Sequence, residues 1–490
     1  MSARPQALLT IVALVLIAIV PLLLEANLGA DVGPGSTGAA VGLVLVVIAL
    51  SGARLSWLIA AGERRLVELS LWLFVYVFLG LAPLVQIQLG RYPGTTPGVL
   101  PRFNLEAAGI VLGGSVALVI GLLMVRRRDR AGAQESHVPV VTVRRARGLA
   151  CAAVLLLAYY VLRVGPAALL ASRAALDDAA GGAWPDPTVR AVVGALTSML
   201  PLVAAVALLQ VERDELSRAD ARINSGLALV TMALLLIAVN PISSARYVFG
   251  TVLLGLLAGA GVLYSSKRRY QIVASGAIAA LVLVFPVADA FRYSGRADLS
   301  FTGPVESLVT PDYDAFAQIN NAAAYVHRYG PSNGRQALGV VLFWVPRSQW
   351  SGKPVDTGVL LAQQRGYKVT NLSAPLWAEL YVNGGWGVLL AGMFALGAAA
   401  RRADLLIRQT LQHRKAPGVL ACILPFYLVL VLRGSLLQAM AYLVVICCSS
   451  VFVQRSGSGL GRLVRFAPVR RVRDSEEEQE ARHQSAHLLS

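Results

Sequence analysis

Residues 66–88 read LVELSLWLFVYVFLGLAPLVQIQ, a predominantly apolar run with one charged residue, Glu68. A helix of this length crosses a hydrocarbon core of about 30 Å. Similar runs recur at residues 6–24, 37–61, 105–125, 148–163, 189–210, 223–240, 244–264, 271–289, 376–399, 417–432 and 434–453. Because backbone groups in lipid must bond within their own segment, these runs predict helices. The sequence therefore predicts an all-α polytopic membrane protein with about twelve spans.

Basic residues beside these runs predict how the chain crosses the membrane. Because successive helices cross the membrane in opposite directions, these basic runs all fall on the same side of it. They are Arg64-Arg65, Arg126-Arg127-Arg128, Arg144-Arg145, Lys267-Arg268-Arg269, Arg401-Arg402 and Arg414-Lys415. Cytoplasmic loops are enriched in lysine and arginine, so we predict a multi-pass protein of the cytoplasmic membrane with both termini in the cytoplasm. Most of the net charge of +17 lies in these runs and in the tail. Topology explains that charge, and no nucleic-acid partner is predicted.

One segment departs from the pattern of helices joined by short loops. We predict a single membrane domain over residues 1–454 and a disordered cytoplasmic tail over 455–490. Within the membrane domain, residues 290–375 form a predicted external segment that is too polar for lipid and too long for an ordinary connection. The four cysteines all lie in apolar runs, so neither a disulfide framework nor a cysteine metal site is expected.

The external segment is expected to fold against the membrane. Thr310-Pro311-Asp312 is typical of a helix start, and an apolar stripe at 316, 319, 323 and 326 predicts an amphipathic helix that Gly330-Pro331 ends. The apolar run 337–345 is too short to span a bilayer, so we expect it to lie at the interface or to re-enter. The next residues, PRSQWSGKP at 346–354, are thereby held at the membrane surface.

Cations near the predicted external helix ends are the unusual feature of this chain. They are Arg246, Arg292, Arg296, Arg347, Lys353 and Arg433. A charge near hydrocarbon is costly unless it is paired or hydrated, and several arginines together suit a pyrophosphate, because the guanidinium matches phosphate oxygens. The alternative for each residue is a long side chain that reaches the lipid headgroups. Arg347 and Lys353, with Trp350 between them, favour phosphate binding most.

Two carboxylates are candidates for a general base. Glu379 opens the tenth predicted span, where partial desolvation would make it more basic. Its alternative role is an interfacial ion pair with a nearby arginine. Asp356 is the second candidate, on a segment that Gly352 and Gly358 would make mobile.

His327 and the triplet Asp312-Tyr313-Asp314 are weaker candidates. His327 is the only histidine on the predicted external side, at the end of the amphipathic helix, and an interfacial surface position explains it. The Asp-x-Asp spacing can hold a divalent metal, but Asp312 already has a role at a helix start. We therefore predict no metal site, and the sequence has no phosphate-binding glycine loop and no metalloprotease motif.

The residues around 346–387 resemble a known family. Pro346-Arg347, Trp350, Lys353-Pro354 and Gly358, followed by the stretch from Glu379 to Asn383 and by Gly385, are similar to the signature of bacterial oligosaccharide repeat-unit polymerases, the Wzy-type O-antigen polymerases. In that family a PR-x-x-W-x-x-KP segment precedes a glycine and then ELY-x-N-F-G at the start of a membrane helix. Asn240-Pro241, Arg246-Tyr247 and Arg433-Gly434 resemble further positions of the family. Gly384 departs from it, since the family usually has an aromatic residue there.

The resemblance implies a membrane enzyme that transfers a growing glycan from undecaprenyl pyrophosphate to a sugar hydroxyl of a new lipid-linked repeat unit, without a cofactor. In this role the pyrophosphate would be bound by Arg347 and Lys353, joined by Arg246, Arg292 and Arg433. Glu379 would be the base, Trp350 would stack on a sugar or anchor the loop, and Asp356 would contact substrate. The implied partners are the lipid-linked oligosaccharide, membrane lipid, a flippase and a chain-length regulator.

Two other functions remain open at this point. A ligase that uses the same lipid-linked donor would be expected to rely on an external histidine, hence on His327. A transporter of lipid-linked units would be expected to show paired repeats and broken helices at the middle of the bilayer. The polar residues of this chain gather at the predicted external face, which favours an enzyme.

Overall fold

The structure of the protein is a computed structural model that describes residues 3–28, 38–125, 140–211, 216–279, 303–413 and 416–455. Within these ranges, nine helices are long and apolar enough to cross a membrane. The first seven are α1 (Gln6–Ala26), α2 (Gly38–Ala61), α3 (Leu66–Leu89), α4 (Pro101–Met124), α5 (Val143–Val164), α6 (Val189–Leu209) and α7 (Arg218–Ala238). The prediction of an all-α polytopic membrane protein is confirmed.

The remaining helices include the other two of membrane length. They are α8 (Arg246–Gly259), α9 (Lys267–Ala279), α10 (Ala315–Tyr329), α11 (Arg335–Val341), α12 (Thr357–Arg365), α13 (Leu376–Gln412), α14 (Val419–Arg433) and α15 (Leu436–Val453). Short helical segments cover Pro166–Leu169, Arg173–Ala183, Pro304–Ser307 and Pro311–Tyr313. One antiparallel pair of two-residue strands joins Val140–Val141 to Gln454–Arg455.

The twelve predicted spans coincide with helices, but their number stays a prediction. The eighth and eleventh correspond to α8 and α14, which are shorter than the nine helices counted above. The ninth, 271–289, is described only as far as residue 279. The tail beyond residue 455, Arg292 and Arg296 lie outside the described residues.

Helix α3 is the centre of the bundle. Its apolar window is fully buried, and its aromatic side chains Trp72, Phe74 and Tyr76 rank among the largest buried groups of the protein. Helices α2, α13 and α14 pack around it. Because a helix that is apolar on all sides belongs in the interior of a bundle, the sequence of α3 fits its position.

Helices α4 and α13 make the most extensive contact between any two helices of the described chain. A Cβ atom added to Gly121 would lie 2.1 Å from the carbonyl oxygen of Phe394, and one added to Gly397 would lie 2.2 Å from that of Leu118. Small residues at a helix crossing let two backbones approach closely in lipid. The indole N–H of Trp377 donates to the carbonyl of Val111 at 3.2 Å and fixes the register of the pair.

The first turns of α13 are separated from its remainder by a break. Gly385 has φ of +59°, and Gly384 is extended, so the helical backbone is interrupted after Asn383. The predicted span 376–399 begins at the residue where α13 begins, and the break at Gly384 and Gly385 was not predicted. A Cβ at Gly384 would lie 2.1 Å from a methyl carbon of Val388, which gives a reason for glycine at the position where the chain departs from the family pattern.

The predicted helix of the external segment is α10, and it lies deeper than expected. Phe316, Ile319 and Ala323 are buried, as the stripe predicted, but so are Gln318, Asn320 and Asn321 on its other faces. The helix packs against α4 and α13. Thr310 does not cap it, because its hydroxyl donates to the carbonyl of Ser307 and a 3₁₀ turn intervenes. We call the end of the bundle that carries residues 303–375 the loop end.

Candidate functional site at the loop end

Arg347 and Lys353 lie on one loop, residues 343–354, which we call the cation loop. The guanidinium of Arg347 donates to the carbonyls of Lys353 at 2.7 Å and Pro354 at 3.0 Å. The ammonium of Lys353 donates to the carbonyls of Phe343 at 2.7 Å and Val345 at 2.8 Å. These contacts use backbone oxygens of the loop itself, and they hold two cations side by side.

The cation loop has no acidic partner in the described part of the chain. No ion pair involves Arg347 or Lys353 there, and both side chains retain unused N–H groups. Partial burial, followed by the charge of Arg347, lowers the pKa of Lys353. Two adjacent cations without a carboxylate are an arrangement that an anionic ligand would stabilise. Arg347 and Lys353 thus lie together, and their place at the mouth of a membrane helix stays a prediction.

Glu379 is buried in the first turn of α13, with 1% of its surface exposed. Its Oε2 accepts a hydrogen bond from the hydroxyl of Thr357 at 2.6 Å. Its Oε1 accepts from the hydroxyl of Ser435 at 2.8 Å and from the backbone N–H of Leu436 at 3.0 Å. The carboxylate thus lies at the N-termini of two helices, α12 and α15, where the helix dipoles favour negative charge.

Asp356 lies beside Glu379 and is 8% exposed. Its Oδ1 caps α12 by accepting from the backbone N–H groups of Gly358 at 2.8 Å and Val359 at 3.4 Å. Burial raises the pKa of Asp356, and the helix amides and the neighbouring Ser435 oppose the shift only in part. The expectation of a mobile segment at Asp356 was wrong. The Cβ that Gly358 lacks would lie 2.2 Å from a backbone oxygen, so this glycine permits close packing instead.

Arg246 and Arg433 meet at a second cluster, formed with Asp312, Asp314 and Ser373. Arg246 pairs with Asp312 at 3.0 Å, and Arg433 contacts Asp314 at 3.4 Å. Arg433 also donates to the backbone carbonyls of residues 311 and 312. Asp314 accepts from the hydroxyl of Ser373 at 2.7 Å. Arg246 and Arg433, both predicted to bind phosphate, are therefore paired with carboxylates. The contacts of Arg433 hold the turn between α14 and α15 against residues 311–314.

The other residues that the sequence predicted for the site are Trp350, His327 and Arg292. Trp350 is half-buried on the cation loop, where its carbonyl accepts from the backbone N–H of Lys353. His327 is exposed at the end of α10 with its ring 5.6 Å from that of Phe103. Its contacts in the described chain do not include the cation loop. Arg292 lies outside the described residues.

Several residues of the site were not predicted. Thr357 and Ser435 donate to Glu379, and Asn383 accepts from the N–H of Ala337 with its side chain. Thr357 and Ser435 each lie in a pattern typical of a helix start, which could have identified them in the sequence. The patterns are Asp356-Thr357 and Arg433-Gly434-Ser435. The role of Asn383 depends on the helix break after it, which sequence periodicity does not reveal.

No protein-family model, no curated protein and no solved structure matches this chain. The loop end combines a cation loop with no carboxylate partner among the described residues, two buried carboxylates that follow it in the chain, and a bundle of membrane-length helices. Within the described residues, no group of three or more histidine, cysteine, aspartate or glutamate side chains has the arrangement of a metal site.

Proposed function

We propose that this protein is a membrane glycosyltransferase that extends a lipid-linked glycan at the outer face of the cytoplasmic membrane. The donor would be a glycan on undecaprenyl pyrophosphate, and the acceptor a hydroxyl of a new lipid-linked repeat unit. Both termini would then lie in the cytoplasm, and the loop end would face outward. A flippase that supplies repeat units and a chain-length regulator are the protein partners that this reaction suggests.

The observation that carries the proposal is the cation loop. Arg347 and Lys353 are held together by backbone carbonyls, and no carboxylate of the described chain neutralises them. A departing pyrophosphate gains negative charge as the glycosidic bond breaks, and fixed cations stabilise charge that develops in a transition state. The position of the loop, at the end of a membrane bundle, suits a phosphate that is attached to a lipid.

The carboxylates supply the second requirement of glycosyl transfer. An attacking hydroxyl must lose its proton, and a carboxylate with reduced hydration is a suitable base. Asp356 is three residues from Lys353, so the base and the phosphate ligands would lie within reach of one substrate. A nucleotide or a metal is not needed in this scheme, because the pyrophosphate donor is already activated.

The test is mass spectrometry of lipid-linked oligosaccharides in cells with and without this protein. Accumulation of single repeat units on undecaprenyl pyrophosphate in its absence would support the polymerase. Accumulation of long lipid-linked polymer would instead indicate a ligase. An unchanged pool would refute both functions.

A further inference from the structure

Glu379 has the contacts of a residue that holds neighbouring segments of the protein in place. Its three hydrogen bonds come from Thr357, Ser435 and the amide of Leu436, and all three are 3.0 Å or shorter. A carboxylate oxygen that accepts an attacking hydroxyl must have a free lone pair directed at the substrate. Glu379 is 1% exposed, and both of its oxygens are engaged by groups at the N-termini of two helices.

The same contacts show what Glu379 holds in place. Thr357 is the first residue of α12 and follows the cation loop, so the bond from Thr357 fixes the C-terminal end of that loop. The N-terminal side of the loop is fixed by the same turn of α13, because Asn383 accepts from Ala337 and Gly334. One turn of α13, residues 379–383, therefore anchors both sides of the segment that carries Arg347 and Lys353.

Asp356 offers the free oxygen that Glu379 lacks. Its Oδ1 is occupied by the amides of α12, but Oδ2 is buried without a hydrogen bond. Ser435 and Gln438 of α15 are the side-chain donors beside it, and neither reaches it with normal geometry. Gln438 is exposed, and its amide donates instead to Asn371 at 3.1 Å.

We propose that Asp356 is the general base of the transfer and that Glu379 is a positioning residue that closes the cation loop. This assignment rests on the proposed glycosyltransferase function. The acceptor oxygen bonds to the anomeric carbon as its proton passes to Oδ2 of Asp356. The bond from the anomeric carbon to the phosphate oxygen breaks, and its electron pair leaves with undecaprenyl pyrophosphate. Arg347 and Lys353 stabilise the charge on that product.

Conservative variants separate the two roles. Asp356→Asn keeps an oxygen that caps α12, because asparagine is as good a helix cap as aspartate, but it removes the base. Glu379→Gln retains an oxygen for Ser435 and Leu436, and its amide can donate to the Thr357 hydroxyl. Glu379→Leu removes all three contacts. Lys368→Ala, at an exposed position of the same external segment, is the control.

The variants are assayed as full-length protein in nanodiscs, with a synthetic lipid-linked repeat unit and with kcat and KM measured separately. We expect Asp356→Asn to lower kcat by about 100- to 10,000-fold, the usual contribution of a general base. Glu379→Gln should cost at most a few-fold, and Glu379→Leu should raise KM, because the cation loop loses an anchor. Thr357→Val and Ser435→Ala each remove one hydroxyl that donates to Glu379, so each variant should reproduce part of the Glu379→Leu effect.

Two results would overturn the assignment. One is an Asp356→Asn enzyme that keeps kcat within tenfold of the original. The other is a folded Glu379→Gln enzyme that is as inactive as Glu379→Leu, which would make Glu379 the base. Failure of the proposed function looks different, because the unmodified protein would then fail to extend the lipid-linked unit at all. Thermal unfolding of each variant identifies loss of activity that is only loss of fold.

Discussion

Replacing Arg347 by alanine is the most direct test of the cation loop. The side chain is exposed, and its two hydrogen bonds within the loop go to carbonyls that water can also satisfy. We therefore expect the free energy of unfolding to change by no more than about 1 kcal/mol. The effect should appear in catalysis, because the guanidinium keeps three N–H groups that can reach a phosphate.

The size of that effect follows from the bonds that would be lost. A hydrogen bond to a charged group contributes about 1.5 to 3 kcal/mol, so losing one raises the barrier by about 1.5 to 3 kcal/mol. That corresponds to a decrease in kcat/KM of about 13- to 160-fold. Arg347→Lys keeps the charge but loses the planar fork, so its activity should lie between those of the alanine variant and the unmodified protein.

The assay is the initial rate of glycan extension by purified protein in nanodiscs. Arg328→Ala is a matched control, because Arg328 is also an exposed arginine of the loop end, stacked over Tyr329 at 5.2 Å. We expect that control to retain its rate within a few-fold. If Arg347→Ala and Arg328→Ala were equally active, the cation loop would not be the phosphate site. Equal losses in both would indicate a general attraction of the surface for anionic lipid.

Three further results are expected from other parts of the molecule. Gly121→Ala should lower the melting temperature and the yield of folded protein, since its Cβ would meet a carbonyl oxygen of α13 at 2.1 Å, whereas Gly226→Ala faces open space and should change neither. Asp404→Ala should destabilise the bundle by about 0.5 to 2 kcal/mol in chemical denaturation, because the carboxylate caps α3 by accepting two backbone N–H groups at 3.0 and 3.2 Å. The pH–rate profile should lose activity on the acid side at a pH above the ordinary range of an aspartate, because burial raises the pKa of Asp356 and a general base acts only when ionised. An acid limb that is unchanged in Asp356→Asn would contradict this reading.

Hydrophobic periodicity was sufficient to predict the class of fold. The run at 66–88 predicted α3, Leu66–Leu89, to within a residue. Periodicity failed where two glycines interrupt an apolar pattern. Gly384 and Gly385 lie inside the predicted span 376–399, but a φ of +59° at Gly385 breaks the helix there. Dihedral angles of this kind depend on packing partners that are remote in the sequence.

The site could be predicted as a set of residues but not as a set of contacts. Arg347, Lys353 and Glu379 were each recognised because a charge near hydrocarbon needs an explanation. Sequence reasoning also treated Arg433 as a phosphate ligand, although it contacts Asp314 from 119 positions away. Whether an arginine is paired depends on contacts between distant helices. Local sequence gives only the residue type and its approximate depth.

The spacing of the motif has a physical explanation in the first turn of α13. Its start, Glu379, holds Thr357, while its end, Asn383, holds residues 334 and 337. The segment from Arg335 to Thr357 is therefore a loop closed at both sides on one helical turn. Residues 366–375, between α12 and α13, contact other parts of the loop end, as Ser373 does with Asp314, but they make no hydrogen bond to Arg347 or Lys353 in the described chain. This geometry predicts that insertions after Gly366 should be tolerated better than insertions between Arg347 and Lys353, which would move one cation away from the other.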